Sequence, residues 1–264
     1  MPVVVTIREL EDWYRQGRYD DLINLNPSLV EIPVDISAEE VLARVNLLQA
    51  WSLHQKKEYW PAEVAFAALA TRFFVDTFVG DSARRGLAHA LFQQDKMEEG
   101  RRVLEEIRPG IERSNARLNE LLRDVFAGRP IPVEEVLQAV AHALGDTPYR
   151  IIHGHVLNNA AWILFQARHR EEAKPYLPIL QGLIEMALGI YDQTKAQPNH
   201  IASCSFRAAT IFFESGWFKG ALTLIDESIS AWEKALQGKE DPAFRRNLQG
   251  AEEFRLKILA QETF

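Results

Sequence analysis

One cysteine, Cys204, stands among 264 residues, so no disulfide can form within the chain. Its apolar setting, IASCSF, reads as a small buried hydrophobe rather than a nucleophile. Glycine (14) and proline (12) are sparse, which excludes collagen-like and proline-rich fibrous chains. There is no basic block. The formal net charge of −7 is spread evenly, −4 through Pro132 and −3 beyond it. A nucleic-acid surface needs clustered cations to displace counterions, so no nucleic-acid partner is expected. Arg84/Arg85, Arg101/Arg102 and Arg245/Arg246 are isolated pairs among acids and read as solvated helix faces. Apolar runs such as Ala65 to Ala70 fall far short of the roughly 18 residues of a membrane span. The N-terminal MPVVVTIREL has neither a basic leader nor a cleavage-like end and does not read as a secretory signal. The expectation from these features is a cytoplasmic chain with no membrane partner.

Catalytic patterns are missing as well. His153 and His155 are the one close histidine pair, and residues two apart on a helix point to different sides, which suits a shared metal poorly. No HExxH, GxSxG elbow, phosphate loop or dinucleotide glycine loop occurs. The acid pairs Glu39/Glu40, Glu105/Glu106 and Glu171/Glu172 are adjacent and fit helix-start electrostatics better than acid–base chemistry. The expectation is a non-enzyme with no catalytic residue, no cofactor and no metal.

What is present is a folded composition, 47% hydrophobic and 25% charged, with helical periodicity nearly throughout. Leu118, Leu121, Leu122, Val125 and Phe126 keep three- and four-residue spacing, as do Leu183, Ile184, Ala187, Leu188 and Tyr191. Only MPVVVTI and LVEIPVDIS suit a strand; flanking the first helix, they predict extended coil or one small pairing. Breaks fall at Asn26-Pro27, Ile32-Pro33, Pro109-Gly110, Gly128 to Pro130, Gly145 to Pro148, Gln197 to Asn199 and Gly238 to Pro242. Ser37 with Glu40 forms a capping box, and Asp81 is placed to cap the helix after Gly80.

The helices pair, and the pairs resemble one another. Segments 46–69, 84–107, 157–177 and 207–225 each run as an apolar/small/apolar helix, a short polar turn, a bulky residue and a small residue three positions on. The bulky/small pairs are Tyr59/Ala62, Met97/Gly100, Arg170/Ala173 and Phe218/Ala221. Close crossing of two antiparallel helices needs small side chains where they meet. Ala50, Ala88, Ala161 and Ala209 supply them on first helices, and Ala62, Gly100, Ala173 and Ala221 on second helices. No such hairpin buries its apolar face alone, so neighbours must stack.

This grammar resembles the tetratricopeptide repeat family. Leu157, Ala160, Ala161, Leu164, Ala173 and Leu177 fall on the family pattern, as do Gly216, Phe218, Ala221 and Ile225. The turn residues Tyr19, Tyr59, Met97, Pro130, Arg170 and Phe218 are spaced 40, 38, 33, 40 and 48 apart, which implies longer loops than a regular array has. Pro175 and Pro178 should kink the fifth unit, whose second helix is expected from Pro178 through about Asp192. The resemblance implies an all-α, right-handed superhelical array of about six hairpins in one domain. Its parts are a degenerate first unit at 3–36, units two and three at 37–110, a weak fourth at 111–147, units five and six at 148–236, and a capping helix at 242–262.

The family's concave groove, lined by first helices, implies a protein or peptide partner. Projected onto this chain, the groove positions are Arg44, Leu47, Trp51 and His54; Arg85, His89 and Phe92; Asn158, Trp162, Phe165 and Gln166; and Phe206, Thr210 and Phe213. Aromatics flanked by Arg, Asn and His are a mix that interfaces favour. Asn158 offers a donor and an acceptor to an extended main chain. Leu47 and Trp51 stand where polar clamp residues would be needed, which argues against an acidic tail of the chaperone type. The alternatives are a small-molecule or signalling-peptide sensor and a self-associating module, a homodimer.

Overall fold

A computed structural model describes residues 4–72, 78–107, 110–145, 149–169, 171, 173–237 and 241–262. The expected turn at Pro109, residues 146–148 and 238–240, the turn residue Arg170 and Glu172 lie outside the described residues. The protein is all-α: 13 α-helices and two 3-10 turns are present among the described residues, with one isolated bridge and no strand. The bridge pairs Val5 with Val30: Val5 N–H donates to Leu29 O (2.9 Å) and Glu31 N–H to Val5 O (2.9 Å). Among the described residues, no helix is long and apolar enough to cross a membrane. The packing divides the chain into two compact units, Met1–Arg117 and Leu118–Phe264.

The first unit contains α1 (Ile7–Arg15), α2 (Tyr19–Ile23), α3 (Ala38–Gln55), α4 (Tyr59–Arg72), α5 (Phe78–Gln93), α6 (Met97–Glu105) and the start of α7 (Ile111–Phe126). Thr6 and Glu9 close a full capping box on α1. At α3 only half of one forms. Ser37 Oγ accepts Glu40 N–H at 3.1 Å, while the Glu40 carboxylate turns to Arg44 (2.6 Å). Pro27 cuts α2 short, and the amide of Gln49 on α3 satisfies the carbonyls left at its end, Leu22 O and Leu25 O, each at 3.0 Å. Asp81 does not cap α5. The helix starts before it, at Phe78, and Asp81 lies buried in the first turn, 3.6 Å from Arg84.

The second unit holds the end of α7, α8 (Val133–Gly145), α9 (Ile151–Gln166), α10 (Leu180–Gln193), α11 (Pro198–Glu214), α12 (Phe218–Leu236) and α13 (Pro242–Glu262). The prolines of the fifth unit do not kink an α-helix. They sit in a 3-10 turn, Lys174–Ile179, and α10 begins after them, because proline has no N–H for an i−4 bond. Asp241 caps α13, its Oδ1 accepting Ala243 N–H at 2.8 Å. The helix packs on α12 and α11, with Phe254 against Phe206 and Phe213 and Phe244 against Trp232.

All eight small residues expected at helix crossings are buried. The fit at Gly100 is close enough that a Cβ there would stand 2.4 Å from the Phe92 ring. The turns after the helices share one geometry. A left-handed residue (Gly17, Lys57, Asp95, Gly128, Lys195 or Gly216) is followed by an N–H that reaches back five residues. Examples are Glu58 N–H to Leu53 O (3.0 Å), Lys96 N–H to Leu91 O (3.0 Å) and Trp217 N–H to Phe212 O (2.9 Å). This is the Schellman closure, normally a glycine position. Here it is filled three times by lysine or aspartate, which hides the repeat in the sequence.

Candidate functional site

In the first unit, four of the residues projected onto the groove converge. Trp51 and His54 lie on one face of α3, Arg85 and His89 on one face of α5. The Trp51 ring meets Phe66 at 4.9 Å, His54 at 5.5 Å and His89 at 6.1 Å. His54 in turn meets Tyr59 at 5.4 Å and His89 at 6.2 Å. The Arg85 guanidinium lies 4.6 Å from the Trp51 ring centre, and its Nε donates to Glu112 of α7 at 2.6 Å. Both side chains of that ion pair are largely buried. Arg85 is therefore paired with Glu112 and held over the indole.

His54 is the unusual member. Both ring nitrogens are buried and neither has a hydrogen-bond partner. Burial, and then the Arg85 charge, pushes the imidazole down to about 4. Trp51 and His89 remain partly exposed beside it. Arg44, nearly two turns before Trp51 on α3, pairs with Glu40 instead. Leu47 and Phe92 do not face a groove. Leu47 packs with Ala50, Ala62 and Phe66, and Phe92 with Ala88, Leu104 and Ile107, because the crossings bring those sides of α3 and α5 inward.

In the second unit, α9 carries Asn158, Trp162 and Phe165. Asn158 (6% exposed) and Phe165 (4%) are buried, and Trp162 is half-buried, stacked on Phe165 at 5.5 Å. Arg168 covers the outer face of Phe165 at 4.1 Å. Phe213 is not beside them. It packs against Phe218 and, from the terminal helix, against Phe254, with Lys257 Nζ 5.0 Å from its ring centre.

The residues that sequence reasoning missed are Arg207, Tyr191 and His200. Arg207 of α11 reaches toward α9, where Nη1 donates to Asn159 Oδ1 at 2.9 Å and the guanidinium lies 5.5 Å from the Trp162 ring centre. Asn159 Nδ2 donates to Asn119 Oδ1 (3.2 Å), which leaves its Oδ1 for Arg207. The Tyr191 hydroxyl meets His155 Nδ1 at 2.8 Å, and His155 and His200 are 4.5 Å apart. Burial pushes His200 down to about 4 and Tyr191 and Cys204 up. Nothing local in the sequence marks Arg207, since only the placement of α11 beside α9 gives it meaning.

His153 and His155 do diverge: His153 Nδ1 accepts Arg150 N–H at 2.9 Å at the start of α9, while His155 turns to Tyr191. Cys204 is fully buried. Among the described residues, no group of three or more His, Cys, Asp or Glu side chains could hold a metal ion. Compared with protein-family models and with curated proteins, the chain has no match.

Proposed function

We propose that this chain is a non-enzymatic binding scaffold of the tetratricopeptide-like class, a right-handed superhelical array of hairpins with α13 as its cap. In this reading the first helices of the hairpins take a peptide or partner protein. The observation that supports it is the convergence of Trp51, His54, Arg85 and His89 from two helices onto one partly exposed aromatic cluster. An indole held by an ion-paired arginine loses little entropy when a partner side chain packs on it, as in interface hot spots. Trp162, over Phe165 and beside Arg207, offers a second such ring.

The test is affinity capture of a partner by the full chain, compared with Trp51→Leu and Trp162→Leu variants whose helix content is checked by circular dichroism. Each substitution should weaken the captured interaction by about 2 kcal/mol. Unchanged capture by folded variants rejects the scaffold reading. Self-association is a second reading, favoured by Trp60 (67% exposed) and Val64 (52%), which share an outer face of α4. A strictly monomeric protein in light scattering over a concentration series removes it.

A further inference from the structure

From Trp60 to Thr71 the outer face of α4 carries no charge. Its exposed positions are Trp60, Val64, Ala68 and Thr71, at the three- and four-residue spacing of one helix face. The charged residues of α4, Glu63 and Arg72, are turned to their own chain. Glu63 meets Lys96 (2.8 Å) and Gln94 (2.7 Å), and Arg72 meets Glu39 (3.1 Å). The second helices of other hairpins differ. On α6 every exposed residue is charged, from Glu98 to Glu105, and the exposed face of α12 holds Lys219, Asp226, Glu227, Glu233 and Lys234. Those faces suit water. A helix that is apolar all round is normally covered all round, and charge depletion around an exposed tryptophan is the mark of a contact surface.

The order of these residues says what covers them. Val64 lies midway between Trp60 and Ala68, four residues or about 6 Å along the axis from each. One end of the face is a large protrusion and the other is a small residue. When a second α4 is turned about a two-fold axis through Val64, it runs antiparallel to the first. Its Ala68 then lies opposite Trp60, and its Trp60 opposite Ala68. Each protrusion meets a gap, as an isologous contact requires, where residue i meets j and j meets i. A parallel pair would set the two indoles against each other. The antiparallel pair also opposes the two helix dipoles.

We propose that α4 is the contact between two copies of this chain, paired antiparallel about Val64 with Trp60 of each seated over Ala68 of the other. This inference rests on the self-association reading and gives it a surface and a symmetry. The face is about 21 Å long and one helix wide, less than a standard interface of about 1,600 Å² provides. The dimer is therefore weak and reversible.

The experiment is sedimentation velocity of the full chain from about 5 to 500 μM, a range that spans weak association. The parent should pass reversibly from monomer to dimer. Trp60→Lys and Ala68→Glu, each with its helix content checked by circular dichroism, should weaken dimerisation at least about tenfold. The two-fold order is read by Val64→Cys, which faces its own copy across the axis. Under oxidised glutathione it should cross-link two chains faster than Trp217→Cys, an exposed position away from α4, while the buried Cys204 takes no part. A dimer that persists unchanged in Trp60→Lys and Ala68→Glu overturns this surface and leaves self-association standing through another face. Cross-linking of Val64→Cys no faster than Trp217→Cys overturns the antiparallel pairing. A chain still monomeric at the top of the range overturns the surface and the self-association reading together. If Trp60→Lys then also loses a captured partner, the face belongs to a different protein. The Trp51 and Trp162 capture test is independent of all these outcomes.

Discussion

His54 makes the stability of the first unit sensitive to mild acid. Its ring nitrogens are sealed between Trp51, Tyr59 and His89, with the Arg85 charge nearby, and the group is pushed from an ordinary 6.5 down to about 4. The folded state therefore holds the ring neutral while the unfolded chain takes up a proton below pH 6.5. The stability present above pH 6.5 is lost as the pH falls toward 4. Applied at pH 5, that difference corresponds to a loss of about 2 kcal/mol, a large part of a small unit's stability. Carboxylates also titrate on this path, so the comparison must be with a variant. His54→Phe keeps the edge contacts to Trp51 and Tyr59 and removes both unpartnered nitrogens. Urea unfolding at pH 7.5 and pH 5, followed by tryptophan fluorescence and by circular dichroism, gives the two losses. The parent should lose about 1–2 kcal/mol more than His54→Phe over this interval. At pH 7.5 the variant should be at least as stable as the parent, since no buried polar atom is left unmatched. Equal losses in the two proteins would falsify the assignment of acid sensitivity to this ring.

Two further predictions concern the frame that carries the cluster. Lys57 and Asp95 hold left-handed backbone (φ +65° and +59°) in turns where Gly17 and Gly216 serve elsewhere. Lys57→Gly and Asp95→Gly should each stabilise the first unit by about 0.5–1 kcal/mol in urea unfolding; a loss in both would show that the turn is not strained. Gly86 of α5 faces the Phe66 ring so closely that a Cβ would stand 2.3 Å away, and Phe66 is fully buried under Trp51. Gly86→Ala should cost about 1–3 kcal/mol, and adding Phe66→Leu should recover part of it, as a double-mutant cycle would show.

What was legible in the sequence was whatever depends on local spacing. The small residues at the crossings repeat at fixed distances from a bulky neighbour, and each of those eight positions is buried. The terminal helix from Pro242 is bounded by its own proline and by the Asp241 cap. Val5 and Val30 could be marked as a possible pairing because both flank α1 in β-compatible runs. Other features depend on which helix lies beside which, and spacing is silent there. Leu47 and Trp51 are four residues apart on α3, yet one packs into the core and the other meets Arg85 and His89. Arg207 looked like the first residue of one more hairpin. Its significance comes from α9, 48 residues earlier, where Asn159 accepts a hydrogen bond from it and Trp162 lies beside it. A residue's chemistry is written in its type, but whether that chemistry is already spent is decided by the neighbour. Arg85, spent on Glu112, steadies one tryptophan, while the same side chain at position 207 bonds the neutral Asn159 and lies beside another.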